Sequence, residues 1–251
     1  MQAYGSGFAR IYNTKWIAYA TQIAPLIQRF FESTAARTDD KTLLDLCCGT
    51  GQLALHFLEQ GYEVVGIDLS EEMLNHAREN ATSYVDSGQA SFVNADAADF
   101  TLAGRFSLVV STFDSLNHLP DAQALKDCFA CAYAVCRDCF IFDLNTRKGL
   151  ANWNCSRVDD SDENVLLIRR GSFDERSDKA WMQITGFVRQ PNGLFERFDE
   201  EVYNTVFALA DVRAMLLECG WREAYFARMN ELQKSLAEPE EEGRVFVVAR
   251  I

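Results

Sequence analysis

Apolar and polar positions along the chain follow two rhythms. Leu43, Leu44 and Leu46 form a short buried-type run that passes into a turn holding Gly49 and Gly51. Leu53 to Glu59 then continues as a short helix that stops near Gly61. The succession repeats. Tyr62–Leu69 is an apolar strand ending in Asp68, and Glu71 to about Asn80 is a helix with Ser70 placed as its N-cap. Ala90–Asn94, Phe106–Ser111 and Cys139–Leu144 are further strands, with a helix over Asp121–Cys136 before the last of them. Strands that are apolar throughout and alternate with helices predict a parallel sheet covered on both faces. Right-handed crossovers put the strand C-termini along one edge, where ligands bind in such folds.

The flanks differ. Tyr4, Phe8, Tyr12 and Trp16 recur every four residues, the spacing of one helical face, in an aromatic approach to a helix that runs on to Phe31. Ser33 to Lys41 is a polar linker into the first strand. From about Trp153 to Phe207 the pattern alternates instead: Val165–Arg170, Ala180–Arg189 and Phe195–Phe207 read as strands, with Pro191-Asn192-Gly193 as a hairpin turn. Ala208–Cys219 is a helix capped by Gly220. Trp221–Met229 and Arg244–Arg250 close the main sheet, and Glu238–Gly243 is a solvated acidic loop between them. The expected architecture is α/β: a doubly wound, mostly parallel seven-stranded sheet with an inserted small antiparallel β-sheet. Residues 1–150 form a ligand-binding core with an N-terminal helical cap, 151–207 the insert, and 208–251 the elements that complete the core.

Composition narrows the partners. The 251 residues carry a net charge of −13 without a Lys/Arg-rich run, so no nucleic acid is expected. No apolar run reaches the length of a membrane span and no basic-then-apolar leader is evident, which leads to a cytoplasmic reading with no membrane partner. Cys128, Cys131, Cys136 and Cys139 form two Cys-x-x-Cys pairs, but in a helix and the strand after it they read as buried thiols, and no metal is expected.

Three carboxylates fall at informative places. Asp45 lies in the first strand just before the glycines, Asp68 ends the second, and Asp96 follows the third. A carboxylate at the tip of the second strand can accept both hydroxyls of a ribose, and one after the third can take the amine of an adenine. No Gly-Lys-Ser/Thr and no Arg or Lys near the turn provides for a phosphate chain. The helix dipole at the turn suits a single carboxylate.

The run Asp-Leu-Cys-Cys-Gly-Thr-Gly, the Gly-Ile-Asp-Leu-Ser at 66–70 and the Asn-Ala-Asp-Ala at 94–97 resemble the successive motifs of class I S-adenosylmethionine-dependent methyltransferases, which have a Rossmann-like fold. Ser111-Thr-Phe-Asp-Ser-Leu-Asn-His-Leu119 and the opening Phe8-Ala-Arg-Ile-Tyr12-Asn resemble the small-molecule branch containing glycine and sugar-amine N-methyltransferases. The resemblance covers residues 4–146 well and the remainder loosely. It implies S-adenosylmethionine as cofactor and S-adenosylhomocysteine as product. Backbone around Cys47, Cys48 and Gly49, in the turn that Thr50 and Gly51 complete, would meet the methionyl part. Asp68 would hold the ribose, and Asp96 with Ala97 the adenine. Leu69 and Met73 would pack on the adenine face, Thr112 would lie near the sulfonium, and Tyr12 and Trp16 would close over the cofactor.

Methyl transfer from a sulfonium is an in-line displacement that asks mainly for positioning and exclusion of water. Asp114 and His118, after the fourth strand, are the candidates to bind or deprotonate a small-molecule acceptor, an amine in the first place and a hydroxyl in the second; His118 reads equally well as a packing histidine. His56 and His76 sit in helices and read as structural. The insert, rich in aromatic residues, would roof the acceptor, with Glu200 and Glu201 attracting a cationic amine. A monomer or homodimer is expected. Two other readings stand beside this one. Gly49-x-Gly51-x-x-Ala54 with Asp68 also fits an NAD-dependent oxidoreductase, and a cofactor-binding protein without catalysis is compatible with the same motifs.

Overall fold

The computed structural model describes residues 4–34 and 40–251, so part of the expected linker Ser33–Lys41 lies outside the described residues. Two helices lead in, α1 (Ser6–Lys15) and α2 (Ile17–Thr34). Then come β1 (Thr42–Leu46), α3 (Gln52–Glu59), β2 (Glu63–Asp68), α4 (Glu71–Asn80), α5 (Thr82–Asp86), β3 (Ala90–Asn94) and β4 (Phe106–Ser111). A 3-10 turn at Ser115–His118 precedes α6 (Ala122–Val135), β5 (Cys136–Asn145) and α7 (Arg147–Ala151). The insert is β6 (Ser156–Asp162), β7 (Val165–Asp174), β8 (Lys179–Arg189) and β9 (Phe195–Thr205). The chain closes with α8 (Leu209–Glu218), β10 (Glu223–Ala227) and β11 (Arg244–Arg250).

The main sheet has the order β10-β11-β5-β4-β1-β2-β3. All neighbours are parallel except β11, which runs against both β5 and β10. All six residues of β4 are buried, which is why its sequence shows no polar alternation. Successive residues of a strand serve opposite faces. Thus Leu44, Leu46 and Val109 pack with α6 and α8 on one side, while Leu43, Leu108 and Val110 pack with α2, α3 and α4 on the other. The chain leaves β1 towards β2 and β3, then returns to the other side of β1 as β4. The C-terminal ends of β1 and β4 therefore flank the switch point, where a crevice opens.

Several elements differ from the sequence expectation. The aromatic stripe is not one helix: α1 ends at Lys15, and Trp16 is its C-cap before α2 begins. The four rings still touch in series, with Tyr4 and Phe8 stacked at 4.6 Å and Trp16 at 5.2 Å from Phe8. Asp121 caps α6 rather than belonging to it, accepting from the Ala124 N–H, and β5 begins at Cys136. Trp221 precedes β10; it is buried against Phe140 and Tyr133, and that burial explains its apolar signal. The insert has four strands, not three: β6, with the sequence Ser-Arg-Val-Asp-Asp-Ser-Asp, is an edge strand paired only with β7. Cys128 and Cys131 lie on α6, and Cys136 and Cys139 on β5; burial pushes the Cys128, Cys136 and Cys139 thiols up, Cys136 to about 12. Among the described residues no group of three or more His, Cys, Asp or Glu side chains is placed to hold a metal.

Candidate active site

The turn after β1 is built by backbone in the left-handed region: Cys47 at φ 62°, Gly49 at 54° and Gly51 at 76°. Cys47 adopts this at a steric cost, which is typical of strained positions at binding sites. At Gly51 no side chain fits, because a Cβ there would lie 3.0 Å from that of Ala77. Gly51 also precedes α3 with no side-chain cap, so the first amide groups of that helix carry its positive end. Asp68, at the tip of β2, accepts from the Gly49 N–H at 2.9 Å and from the Ser70 N–H at 2.8 Å. Burial pushes its carboxyl pKa up, and these two amides oppose the shift. Behind it, the Asp45 carboxyl is buried and is raised to about 7, chiefly by desolvation.

A cavity of about 430 Å³ occupies the crevice. Of the residues singled out from the sequence, Tyr12, Trp16, Cys47, Gly49, Asp68, Leu69, Met73, Ala97, Asp114 and His118 line it. Cys48, Thr50, Gly51, Asp96 and Thr112 do not. The Cys48 thiol turns to the opposite face of the sheet, where a Cβ on Gly66 would approach it at 2.9 Å. The Thr50 side chain is buried, and its carbonyl accepts from Asn80 at 2.9 Å. The Asp96 carboxylate folds back onto the Ala98 N–H at 2.9 Å, and Ala95 and Ala97 present the wall at that point. Thr112 gives its carbonyl to the Ser115 hydroxyl at 2.8 Å. His56 pairs with Gln28 and His76 with Glu79, both away from the cavity.

The loop after β4 holds two consecutive left-handed residues, Phe113 at φ 66° and Asp114 at 52°. Arg244, the first residue of β11, keeps them there. Its guanidinium pairs with Asp114 at 2.5 Å and with Asp143, and lies over the rings of Tyr19 and Phe113. Asp143 also accepts from the Tyr19 hydroxyl at 2.8 Å and the Asp114 N–H at 3.1 Å. Asp114 thus meets the cavity wall already paired with Arg244. His118 is different. Burial lowers its pKa, its ring bonds the Tyr203 backbone carbonyl, and its Nε2 lies 3.3 Å from the Tyr4 hydroxyl. Burial raises Tyr4, so the phenol keeps its proton and donates it to a neutral imidazole.

The insert covers the cavity with one face. Strand alternation sets Phe198, Glu200 and Val202 on one face of β9; Glu201 also borders the cavity but is exposed. Glu200 accepts from the Gly5 N–H at 2.9 Å. Sequence reasoning missed Arg244, Phe113, Arg157 and Arg169, all in the lining. Only tertiary contacts distinguish them from ordinary strand and loop residues.

A doubly wound sheet with a glycine turn after β1, a carboxylate at the tip of β2 and an aromatic-walled cavity between them defines the S-adenosylmethionine-dependent methyltransferase class. Residues 43–138 match the family model described as a methyltransferase domain. "Putative methyltransferase YqeM" of Bacillus subtilis is 30% identical over 220 residues, covering 86% of this chain and 85% of that one. A dTDP-3-amino-3,4,6-trideoxy-alpha-D-glucopyranose N,N-dimethyltransferase of Streptomyces venezuelae is 35% identical over 111 residues, 44% of this chain and 41% of its own. The fold matches the crystal structure of an S-adenosylmethionine-dependent methyltransferase from Clostridium acetobutylicum with TM-score 0.80 and 24% identity, covering 98% of each chain. The chain belongs to the S-adenosylmethionine-dependent methyltransferases. It is an enzyme of that family with S-adenosylmethionine as its cofactor, and the dehydrogenase and non-catalytic readings fall. Among the described residues no helix is long and apolar enough to cross a membrane.

The residues present suit that cofactor. A carboxylate offers about four lone-pair sites. Asp68 spends two on backbone amides and faces the cavity with the remainder, as a diol requires. At Gly49 a side chain would stand 3.6 Å from the Tyr12 ring, so the bare Cα keeps the passage beside that ring open.

Proposed function

We propose that the enzyme methylates an amine nitrogen of a small molecule. The observation that carries this reading is the neutral His118, buried at the cavity wall and held by Tyr4. S-adenosylmethionine, when bound, supplies a methyl group activated on a cationic sulfur. Asp68 would hold the ribose hydroxyls, and the backbone at Cys47 and Gly49 the methionyl part. Leu69, Met73 and Ala97 would bound the adenine. The rings of Tyr12 and Trp16 suit a cation at the reacting end. An attacking amine must be neutral and, once alkylated, must shed a proton. His118 is the group able to take that proton, passed through the Tyr4 hydroxyl: as the hydroxyl accepts the amine's proton, its own moves to the ring nitrogen it already faces. The relative from Streptomyces venezuelae, named an N,N-dimethyltransferase, supports nitrogen as the acceptor atom.

Residues 151–207 serve in this reading as a substrate lid on a core of 1–150 and 208–251. The inner face of the lid excludes water from the displacement. Eight thiols without a disulfide suit a cytoplasmic setting, and the charge of −13 speaks against nucleic acid as a partner. A monomer or homodimer satisfies everything the site needs. The test is incubation with methyl-labelled S-adenosylmethionine and a panel of small amines, amino sugars included, followed by mass analysis of the products. Label appearing in an amine supports the reading. Label appearing only in hydroxyl acceptors would replace nitrogen by oxygen.

A further inference from the structure

Arg157 of β6 and Arg169 of β7 are directly opposite each other in the antiparallel pair. The row continues across the insert as Arg157, Arg169, Ile184 and Glu200. Ile184 packs on Phe8 and Met73 above the cavity, so this row lies on the inner face of the lid. Both arginines line the cavity, Arg157 at its exposed rim and Arg169 deeper. Among the described residues neither guanidinium has a carboxylate or carbonyl partner, and Arg169 Nε is buried without any hydrogen bond. Glu200, the carboxylate in the same row, lies two strands from Arg169, about 10 Å at ordinary strand spacing. It is engaged by Gly5.

Like charges directly opposite in a sheet are unfavourable, and a buried donor left unpaired costs more than an ordinary hydrogen bond returns. A chain with 37 acidic residues against 24 basic ones had ample means to neutralise both positions. Two bare guanidiniums facing a ligand cavity are instead the arrangement that receives an oxyanion through paired N–H donors. We infer that Arg157 and Arg169 form a subsite for an anionic group, a phosphate or a carboxylate, carried by the methyl acceptor. The acceptor is then bipolar: its amine lies beside His118 and its anion under the lid. This rests on the proposed amine methylation, and it changes what that reading expects, since the overall negative charge favours cationic partners.

The test uses the full chain saturated with S-adenosylhomocysteine. Titration with inorganic pyrophosphate and, separately, with succinate is followed by the fluorescence of Trp153, which lines the same cavity, and by the shift in Tm. Wild type is compared with the R157M/R169M double variant and with R170M, whose side chain lies on the exposed outer face. Saturable, salt-sensitive binding of at least one anion by wild type and R170M, weakened roughly tenfold or more in the double variant, supports the subsite. The anion that binds identifies the chemistry of the group. Equal binding by all three proteins, or no saturable binding by wild type, overturns it. S-adenosylhomocysteine affinity, measured in parallel by calorimetry, should be the same in all three. Its absence from wild type would instead overturn the cofactor reading on which the proposal rests.

Discussion

Arg244 reaches from the last strand to Asp114, in the loop after β4, and pairs with it at 2.5 Å. The same guanidinium holds Asp143, whose carboxyl burial alone would push up. One cation from β11 thus bridges two carboxylates and fixes the loop that carries the acceptor wall. Removing it leaves both charges buried and uncompensated. Arg244→Met should therefore destabilise the fold by about 3–5 kcal/mol, a fall in Tm of about 10 °C. Thermal unfolding by circular dichroism measures this. An unchanged Tm would mean that the pair contributes nothing to the loop.

Asp68 has two backbone donors and faces the cavity. Asp68→Asn loses the charge and puts an amide N–H where an acceptor is needed. Calorimetric titration should find S-adenosylhomocysteine binding weakened about 10–100-fold, the range of a lost charge-assisted hydrogen bond. Affinity within a factor of two of wild type would remove Asp68 from the ribose site.

Neutral His118 predicts an acid limb in the pH–rate profile. Burial holds its pKa below the ordinary histidine value, so activity should persist to lower pH than for a solvent-exposed histidine and fall as pH drops through the depressed pKa. The Tyr4 hydroxyl donates to the neutral ring and thereby favours it. Tyr4→Phe should move the limb to higher pH, and His118→Asn should abolish it. A limb unaffected by either change would assign it to another group.

Asp45 links stability to pH. Its folded pKa, about 7, stands above that of an unfolded aspartate, so the folded chain binds the extra proton. Its contribution is fully present below about pH 4 and is lost as pH rises towards 7, by up to about 1.4 kcal/mol per pH unit. Urea unfolding of wild type between pH 5 and 7.5 should show this slope, and Asp45→Asn should flatten it. Parallel slopes for the two proteins would exclude Asp45 as the source.

The alternation of apolar runs and helical stretches made the core legible, because strands buried on both faces leave no other pattern. The glycine turn, Asp68 and Ser70 were legible for local reasons: a left-handed backbone needs glycine, and a helix start needs a cap. Strand β6 was not, since an edge strand facing solvent carries no apolar period. Asp96 misled for a related reason, because an aspartate after a strand can turn inward or satisfy its own loop, and here it bonds Ala98.

The architecture of the core, the glycine turn and the aromatic approach can be read along the chain, because they follow from contacts within a few residues or from simple periodicity. What lines the acceptor side is set by long-range folding alone. Arg244 meets Asp114 across 130 positions and Tyr4 meets His118 across 114. Arg157 and Arg169 become a pair only through the register of β6 on β7. Such groups are brought together by chain crossing and strand register, and neither leaves a mark at the spacing of neighbouring residues.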